Sequence, residues 1–555
     1  MNTQENCKTS ANEISGSGPD PNAREGLLEN RWIAAGILLT IILAGTGLRL
    51  YQLSDRSMWF DESVSWRFIQ FPFTEMIARI ARDVIPPFYF ILLRFWAAVF
   101  GQSLLALRGL SVLSAAVAMG GIYLAASEAF AVRGAPSESE RNDRARARWI
   151  GLVGAALFAV SVLQIRLGVD TRMYAIATAL LALSSWVLLL AIRARSRACL
   201  LWIIYGLLTL LLAHTLYFGL FSIAGQGIFL LGYIGSQSRW VPRAMVRSRL
   251  FWSSVMAYAI TGIGSAFWLP VFLRQKALVQ ESWWSAPFAL RDVPGLCYSM
   301  FFDVGASGIT ARDSRIVAVV CAAAVLALLW KARVGEWFVF CLGAVTFAIS
   351  IAVSLQGGSM ILDRYLVLIQ MFVLMTFAVV ISRLPGTRLR NAAAGVLIAG
   401  GLMIYVDFMA WLDLPNKPGT QGACEYLVAQ RQSSEPVIVC STMFYFPMCY
   451  HAHSPRNWYV YYEEGKIPFY AGSPLLTSED TITREQVDAI TSKRVWVVTS
   501  NGYWARGDMP IPSHWRPENE RQFMEAYPFQ GDVLVVAYLT VEGEGANGTQ
   551  VLGGK

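Results

Sequence analysis

From residue 31 to about residue 412, long apolar runs alternate with short polar clusters. Two runs, 149–165 and 251–273, carry no charge and approach the roughly 20 residues a helix needs to cross a ~30 Å hydrocarbon core. A lone strand of that length would leave its N–H and C=O groups unpaired in lipid, so the pattern predicts a helical bundle. Spans are expected at 32–50, 104–128, 149–167, 172–192, 199–216, 218–235, 251–272, 314–330, 336–354, 364–382 and 391–412, about eleven transmembrane helices in all. The first run, Arg31 to Leu50, is too long for a signal-peptide core and lacks a small-residue cleavage site, so it is expected to stay as a signal anchor.

The polar clusters set the topology. Arg141, Arg144, Arg146 and Arg148; Arg193, Arg195 and Arg197; Arg239, Arg243, Arg247 and Arg249; Lys331 and Arg333; and Arg383, Arg388 and Arg390 all read as cytoplasmic. With the amino terminus inside, the loop 51–103 lies outside, and the chain crosses once before the Arg141 cluster. Two apolar segments compete for that crossing. Segment 86–101 is short, opens on Pro86-Pro87 and carries Arg94, so it is expected as a juxtamembrane helix along the outer surface. Segment 104–128 is then the span. The loop 273–313 and everything after Trp411 fall outside.

Both ends differ from the middle. Residues 1–30 are polar and aperiodic and read as a disordered cytoplasmic tail. From 413, helix-like stretches (420–432, 483–492) alternate with β-rich runs (436–440, 494–499, 532–541), separated by Pro, Gly and Asn clusters. The expected architecture is therefore an α-helical polytopic membrane protein: a tail (1–30), a transmembrane domain (31–412) and a small extracytoplasmic α/β domain (413–555). It belongs in the cell membrane, crossing it many times. No internal repeat is visible.

Composition agrees: 55% of residues are hydrophobic and only 15% charged. The net charge of +8 resides in the topology clusters, which argues against nucleic-acid binding. Among the eight cysteines, Cys199, Cys321 and Cys341 fall in or beside spans and act as small hydrophobes. Cys424, Cys440 and Cys449 would meet an oxidising compartment, with Cys440 and Cys449 the pair placed to bridge.

The densest chemistry is Trp59-Phe60-Asp61-Glu62, two adjacent carboxylates in the outer loop. Such a pair can act as a general base or hold a divalent ion; the plain alternative is a helix N-terminus complementing its dipole. Asp170 sits in a short outer turn with Arg166, Arg172 and Tyr174. An ion pair that only fixes the turn competes with a functional reading there. Arg108, Arg166, Arg172 and Arg364, the last beside Tyr365, recur at the same side. Their planar, permanently charged forks suit a phosphate at lipid depth. His214 and Tyr217 end a span and either line a cavity or pack. His451 and His453 offer a single metal-type spacing, Trp283-Trp284 an interfacial anchor or acceptor platform, and Asn547-Gly548-Thr549 a sequon. The chain has no phosphate-cradling glycine loop, which argues against a nucleotide-driven transporter.

The order of these features resembles one family. A carboxylate pair follows the first span, then Pro86-Pro87-Phe88-Tyr89-Phe90, Phe100-Gly101 with Ala106-Leu107-Arg108, Asp170-Thr171-Arg172-Met173-Tyr174-Ala175, and Asp363-Arg364-Tyr365. Over residues 30–410 this is similar to the GT-C type integral-membrane glycosyltransferases, in particular the protein O-mannosyltransferase and aminoarabinose transferase relatives. The resemblance implies Asp61 as catalytic base with Glu62 beside it, and Asp170 as the second acidic position. It also implies Arg108, Arg172, Arg364 and Tyr365 near a lipid-phosphate donor. Tyr174, His214 and Tyr217 are candidates for the cavity wall. Relatives carry His or Lys before the proline where this chain has Ile85, so Arg94 or Arg82 is expected to substitute.

The implied reaction moves a sugar from a polyprenyl-phosphate carrier to an acceptor hydroxyl on a glycan, lipid or protein, with inversion. A divalent metal cation between Asp61 and Asp170 would share the leaving group's charge. A lipid-linked sugar flippase and an inactive scaffold are the rival readings. A flippase calls for paired repeats and broken mid-membrane helices.

Overall fold

The computed structural model describes residues 28–131, 138–194, 196–281, 286–302, 308, 310–357, 361–453, 456–463, 467–502, 509–527, 530–540 and 550–551. Trp283-Trp284, the Asn547 sequon and residues 1–27 of the expected tail lie outside them.

Each expected span meets a helix. Of the described residues, six helices are long and apolar enough to cross a membrane, eight if each of two bent pairs forms one span. Arg31–Leu50, Leu104–Phe130, Tyr174–Arg193, Gly219–Gln237 and Thr387–Leu412 run unbroken. Ala198–Ala213 and Val367–Ile381 are shorter apolar helices. Tyr174–Arg193 and Val367–Ile381 are buried along most of their length and form the centre, whereas Arg31–Leu50 lies at the edge. Small residues allow the close approaches between them. A Cβ added to Gly121 would meet the Ala182 Cβ at 2.8 Å.

Two expected straight spans are broken. The helix ending at Val160 bends by 63° into Val162–Val169 at Ser161, whose backbone is extended. The break frees carbonyls of the preceding turn, and the buried Arg49 Nη1 donates to the Ala159 carbonyl at 3.1 Å. Arg249–Ala266 bends by 71° into Leu269–Glu281, where Pro270 has no N–H to continue the ladder.

The outer segment 51–103 folds as three helices. Phe60–Gln70 and Phe73–Ile80 precede Phe88–Phe100, the expected juxtamembrane element, which keeps Phe95, Val99 and Phe100 exposed. The C-terminal part is a mixed sheet of order β3-β2-β1-β4-β7-β6, with β1 Val437–Val439, β2 Trp458–Tyr461, β3 Thr481–Ile482, β4 Arg494–Ser500, β6 Trp515–Phe523 and β7 Val533–Thr540. A separate pair joins β5 Pro510–Ile511 to β8 Gln550–Val551. The first four sheet strands are parallel and β4, β7 and β6 antiparallel. Wholly buried β1 is a bare Val-Ile-Val run, as a strand covered on both faces requires. Edge strand β6 is charged and exposed along its middle, which discourages pairing with other chains. The expected strands appear, as do helices Gly419–Gln430 and Arg484–Asp488. Helix Thr442–His451 and strands β2, β3 and β6 escape the sequence pattern. All seven cysteines among the described residues are free, so Cys440 and Cys449 form no bridge.

Candidate active site

Successive residues of an α-helix point about 100° apart, so adjacent carboxylates in its first turn cannot share surroundings. Asp61 and Glu62 open the helix Phe60–Gln70 and diverge in this way. Glu62 turns inward and is fully buried. Arg108 grips it with Nε and Nη2 at 2.8 and 2.6 Å, Arg56 reaches it at 3.2 Å, and the Thr171 N–H donates at 2.9 Å. Burial opposes the charge, but Arg108 and Arg56 hold the Glu62 carboxyl down at about 2.

Arg56 also binds Asp170 at 2.6 Å and the Tyr527 hydroxyl at 2.8 Å. Asp170 therefore pairs with Arg56 and not, as the turn's own composition suggested, with Arg166 or Arg172. Burial pushes the Asp170 carboxyl up despite Arg56. Arg108 spends its remaining donors on the carbonyls of Leu53, Arg56 and Ser57 at 2.6, 2.9 and 3.2 Å. With 1% exposure and its fork occupied, Arg108 presents nothing to a phosphate in this state. With Glu62, Asp170 and Arg56, Arg108 forms a buried four-residue network tying the outer loop to two spans.

Asp61 faces the other way, into a cavity of about 130 Å³ that is also lined by Asp83, Ile85, Arg172, Tyr217, Arg364 and Tyr365. Its Oδ2 accepts from Arg364 Nη1 at 2.6 Å. Arg172 donates Nη1 to the Asp61 carbonyl at 3.2 Å, and its buried Nε has no hydrogen-bond partner among the described residues. Tyr365 stacks on Phe218 with ring centroids 4.2 Å apart. The Tyr217 hydroxyl accepts from Trp268 Nε1 at 2.9 Å and donates to Gln275 at 2.5 Å. Tyr174 lies buried against Tyr365, edge to face at 6.5 Å, outside the lining. His214 stacks on Phe267 at 5.5 Å and likewise does not line the cavity.

Neither candidate replaces the cation missing at Ile85. Arg94 donates to the carbonyls of Ile69 and Phe71, closing the end of a helix, and Arg82 is exposed away from the lining. Arg166 pairs with Asp363.

Asp83 is a site residue that sequence reasoning missed. It is buried in the same cavity as Asp61, and burial raises its carboxyl to about 6. The signal was an acid three residues before Pro86 in the same outer loop. The soluble domain contributes too, through Phe469 and Tyr470 on the cavity wall. It is seated on the outer loop by Arg67 with both oxygens of Asp480 at 3.0 and 2.8 Å, and by the Met58 N–H on His451 Nε2 at 3.1 Å. Burial lowers that imidazole to about 4, which keeps His451 a neutral acceptor; no metal role is needed for it.

Among the described residues no three His, Cys, Asp or Glu side chains gather to hold a metal. A dication between Asp61 and Asp170 does not fit this arrangement, because Arg364 and Arg56 already occupy those carboxylates.

Residues 86–233 match the family model described as Protein O-mannosyl-transferase TMEM260 N-terminal domain. No curated protein sequence matches the chain. The fold is similar to the crystal structure of ArnT from Cupriavidus metallidurans bound to undecaprenyl phosphate, with TM-score 0.51 and 10% identity over 90% of this chain and 98% of that one. It is also similar to ArnT in the apo state, with TM-score 0.53 and 9% identity over 91% and 98%. Over residues 86–233 the chain is thus similar to the Protein O-mannosyl-transferase TMEM260 N-terminal domain, and its fold as a whole is similar to that of ArnT.

Proposed function

We propose that this protein transfers a sugar from a polyprenyl-phosphate donor to an acceptor hydroxyl on the extracytoplasmic face of the membrane. The observation that carries the reading is the Asp61 carboxylate held by Arg364 in a cavity that also receives the under-used guanidinium of Arg172. A carboxylate beside two cations suits an acid–base step next to a departing phosphate. The undecaprenyl phosphate bound to the similarly folded ArnT supports the class of donor.

In this reading the donor phosphate recruits Arg364 and Arg172, which frees Asp61. The acceptor hydroxyl then gives its proton to Asp61 while its oxygen attacks the anomeric carbon from the face opposite the phosphate. The anomeric carbon–oxygen bond to phosphate breaks, and its electron pair leaves with the phosphate. The sugar is inverted. Tyr365, stacked and fixed, shapes the donor side, and Phe469 and Tyr470 bring the soluble domain to the acceptor side.

The test is release of polyprenyl phosphate from synthetic polyprenyl-phosphate sugars by the purified protein, with and without acceptors. Asp61→Asn should fold normally and lose at least ~10²-fold in turnover. Near wild-type release by Asp61→Asn would remove Asp61 from the chemistry. Donor binding without release under every acceptor would favour a flippase or scaffold.

A further inference from the structure

A second cavity lies at the opposite end of the first helix from Asp61. It is a cleft of about 660 Å³ between the helices Arg31–Leu50, Glu138–Val160 and Thr387–Leu412. Its depth is set by Ile37, Ile41 and Ile398. Ile41 lies ten residues beyond Arg31, about 15 Å along the axis at 1.5 Å per residue, which is half of a ~30 Å hydrocarbon core. The cleft therefore spans one leaflet.

Its mouth is polar and mostly cationic, with Arg146 and Arg390 against Asp143. Arg146 donates to Ser382 at 2.9 Å, which fixes its guanidinium at the rim. Trp149 Nε1 donates to Asn391 at 2.9 Å, an aromatic clamp of the kind found at the membrane–water boundary. An apolar slot one leaflet deep below a cationic interfacial rim is complementary to an amphiphile with an anionic head.

We propose that this cleft binds an acidic glycerophospholipid, its phosphate at Arg146 and Arg390 and an acyl chain between the three helices. The site is independent of the transfer reaction, because none of its residues touches the Asp61 cavity.

Native mass spectrometry of the full chain, supplied with phosphatidylglycerol or phosphatidylcholine of identical chains, tests this. The expected result is one phosphatidylglycerol retained roughly tenfold more tightly, with the preference lost in the Arg146→Gln/Arg390→Gln variant. Equal retention of both lipids, or a preference unchanged in the variant, would overturn the proposal. A dimer mass lost in the variant would assign the cleft to a second copy instead. If the variant does not fold, phosphatidylglycerol carrying a diazirine in its acyl chain decides the matter on the wild type. Adducts on the three helices support the site, and adducts only elsewhere refute it.

Discussion

Asp61 and Glu62 are chemically alike and adjacent, and their environments separate them. Glu62 meets two guanidinium groups and a backbone N–H in the dark interior, where removing one partner of a buried pair typically costs about 3–5 kcal/mol. Asp61 is ion-paired to Arg364, with Arg172 on its backbone carbonyl, at the edge of a cavity where a charged ligand can compete for both cations. Asp83 shows what burial does to a carboxyl whose cation, Arg172, acts on it without an ion pair among the described residues. Its value of about 6, against an ordinary 3.8, means that between those pH values the native state keeps a proton the unfolded chain has released. Stability therefore falls as pH rises through that window and stays lower above it. Asp83→Asn should flatten that slope and be more stable above pH 6 by on the order of 3 kcal/mol. Melting temperature against pH in detergent checks this, and an unchanged slope would mean that Asp83 titrates as an exposed acid.

At the scale of elements, the joints matter more than the helices. The last long helix ends at Leu412, and the soluble domain begins its first helix at Gly419, where φ is +55°. A Cβ there would meet Glu525 Oε2 at 2.6 Å and Ser57 Oγ at 2.9 Å. Glu525 is buried and accepts from the Thr420 N–H at 2.7 Å, so it has little room to retreat. Gly419→Ala is expected to cost about 2–3 kcal/mol through backbone strain and a disturbed buried carboxyl. A lowered melting temperature is the expected readout; an unchanged one would show that the joint yields. The same logic explains the Ser161 break, where Arg49 supplies the donors that an unbroken helix would have supplied itself.

For the whole molecule, the Asp61 cavity and the soluble domain lie at one end of the bundle and the arginine-rich turns at the other, and the proposed function requires the cavity to face outward, the orientation that the positive-inside rule predicts. Cysteines introduced one at a time at two exposed positions, in a chain whose eight native cysteines are replaced by serine, test this. Ser478→Cys, in the soluble domain, should react with a membrane-impermeant thiol reagent in intact cells, whereas Ser236→Cys should react only after permeabilisation. The reverse pattern would place the cavity in the cytoplasm and rule out an extracytoplasmic transfer.

Hydropathy by itself determined the helical bundle, the short apolar helix after Pro86-Pro87 and the change to an α/β region towards the C-terminus, because lipid forces backbone pairing to be local and leaves that demand readable in linear order. The ordered motifs also pointed to the GT-C relatives and to Asp61. Only the tertiary structure decided which charges are available. The fork of Arg108 holds Glu62, 46 positions away, and Asp170 has its partner in Arg56, 114 positions away. Asp83, Phe469 and Tyr470 became one wall with Asp61 only when loop and soluble domain packed together. Charge pairing is set by distance in space, and the distances that select a partner inside a bundle leave no periodic trace along the chain.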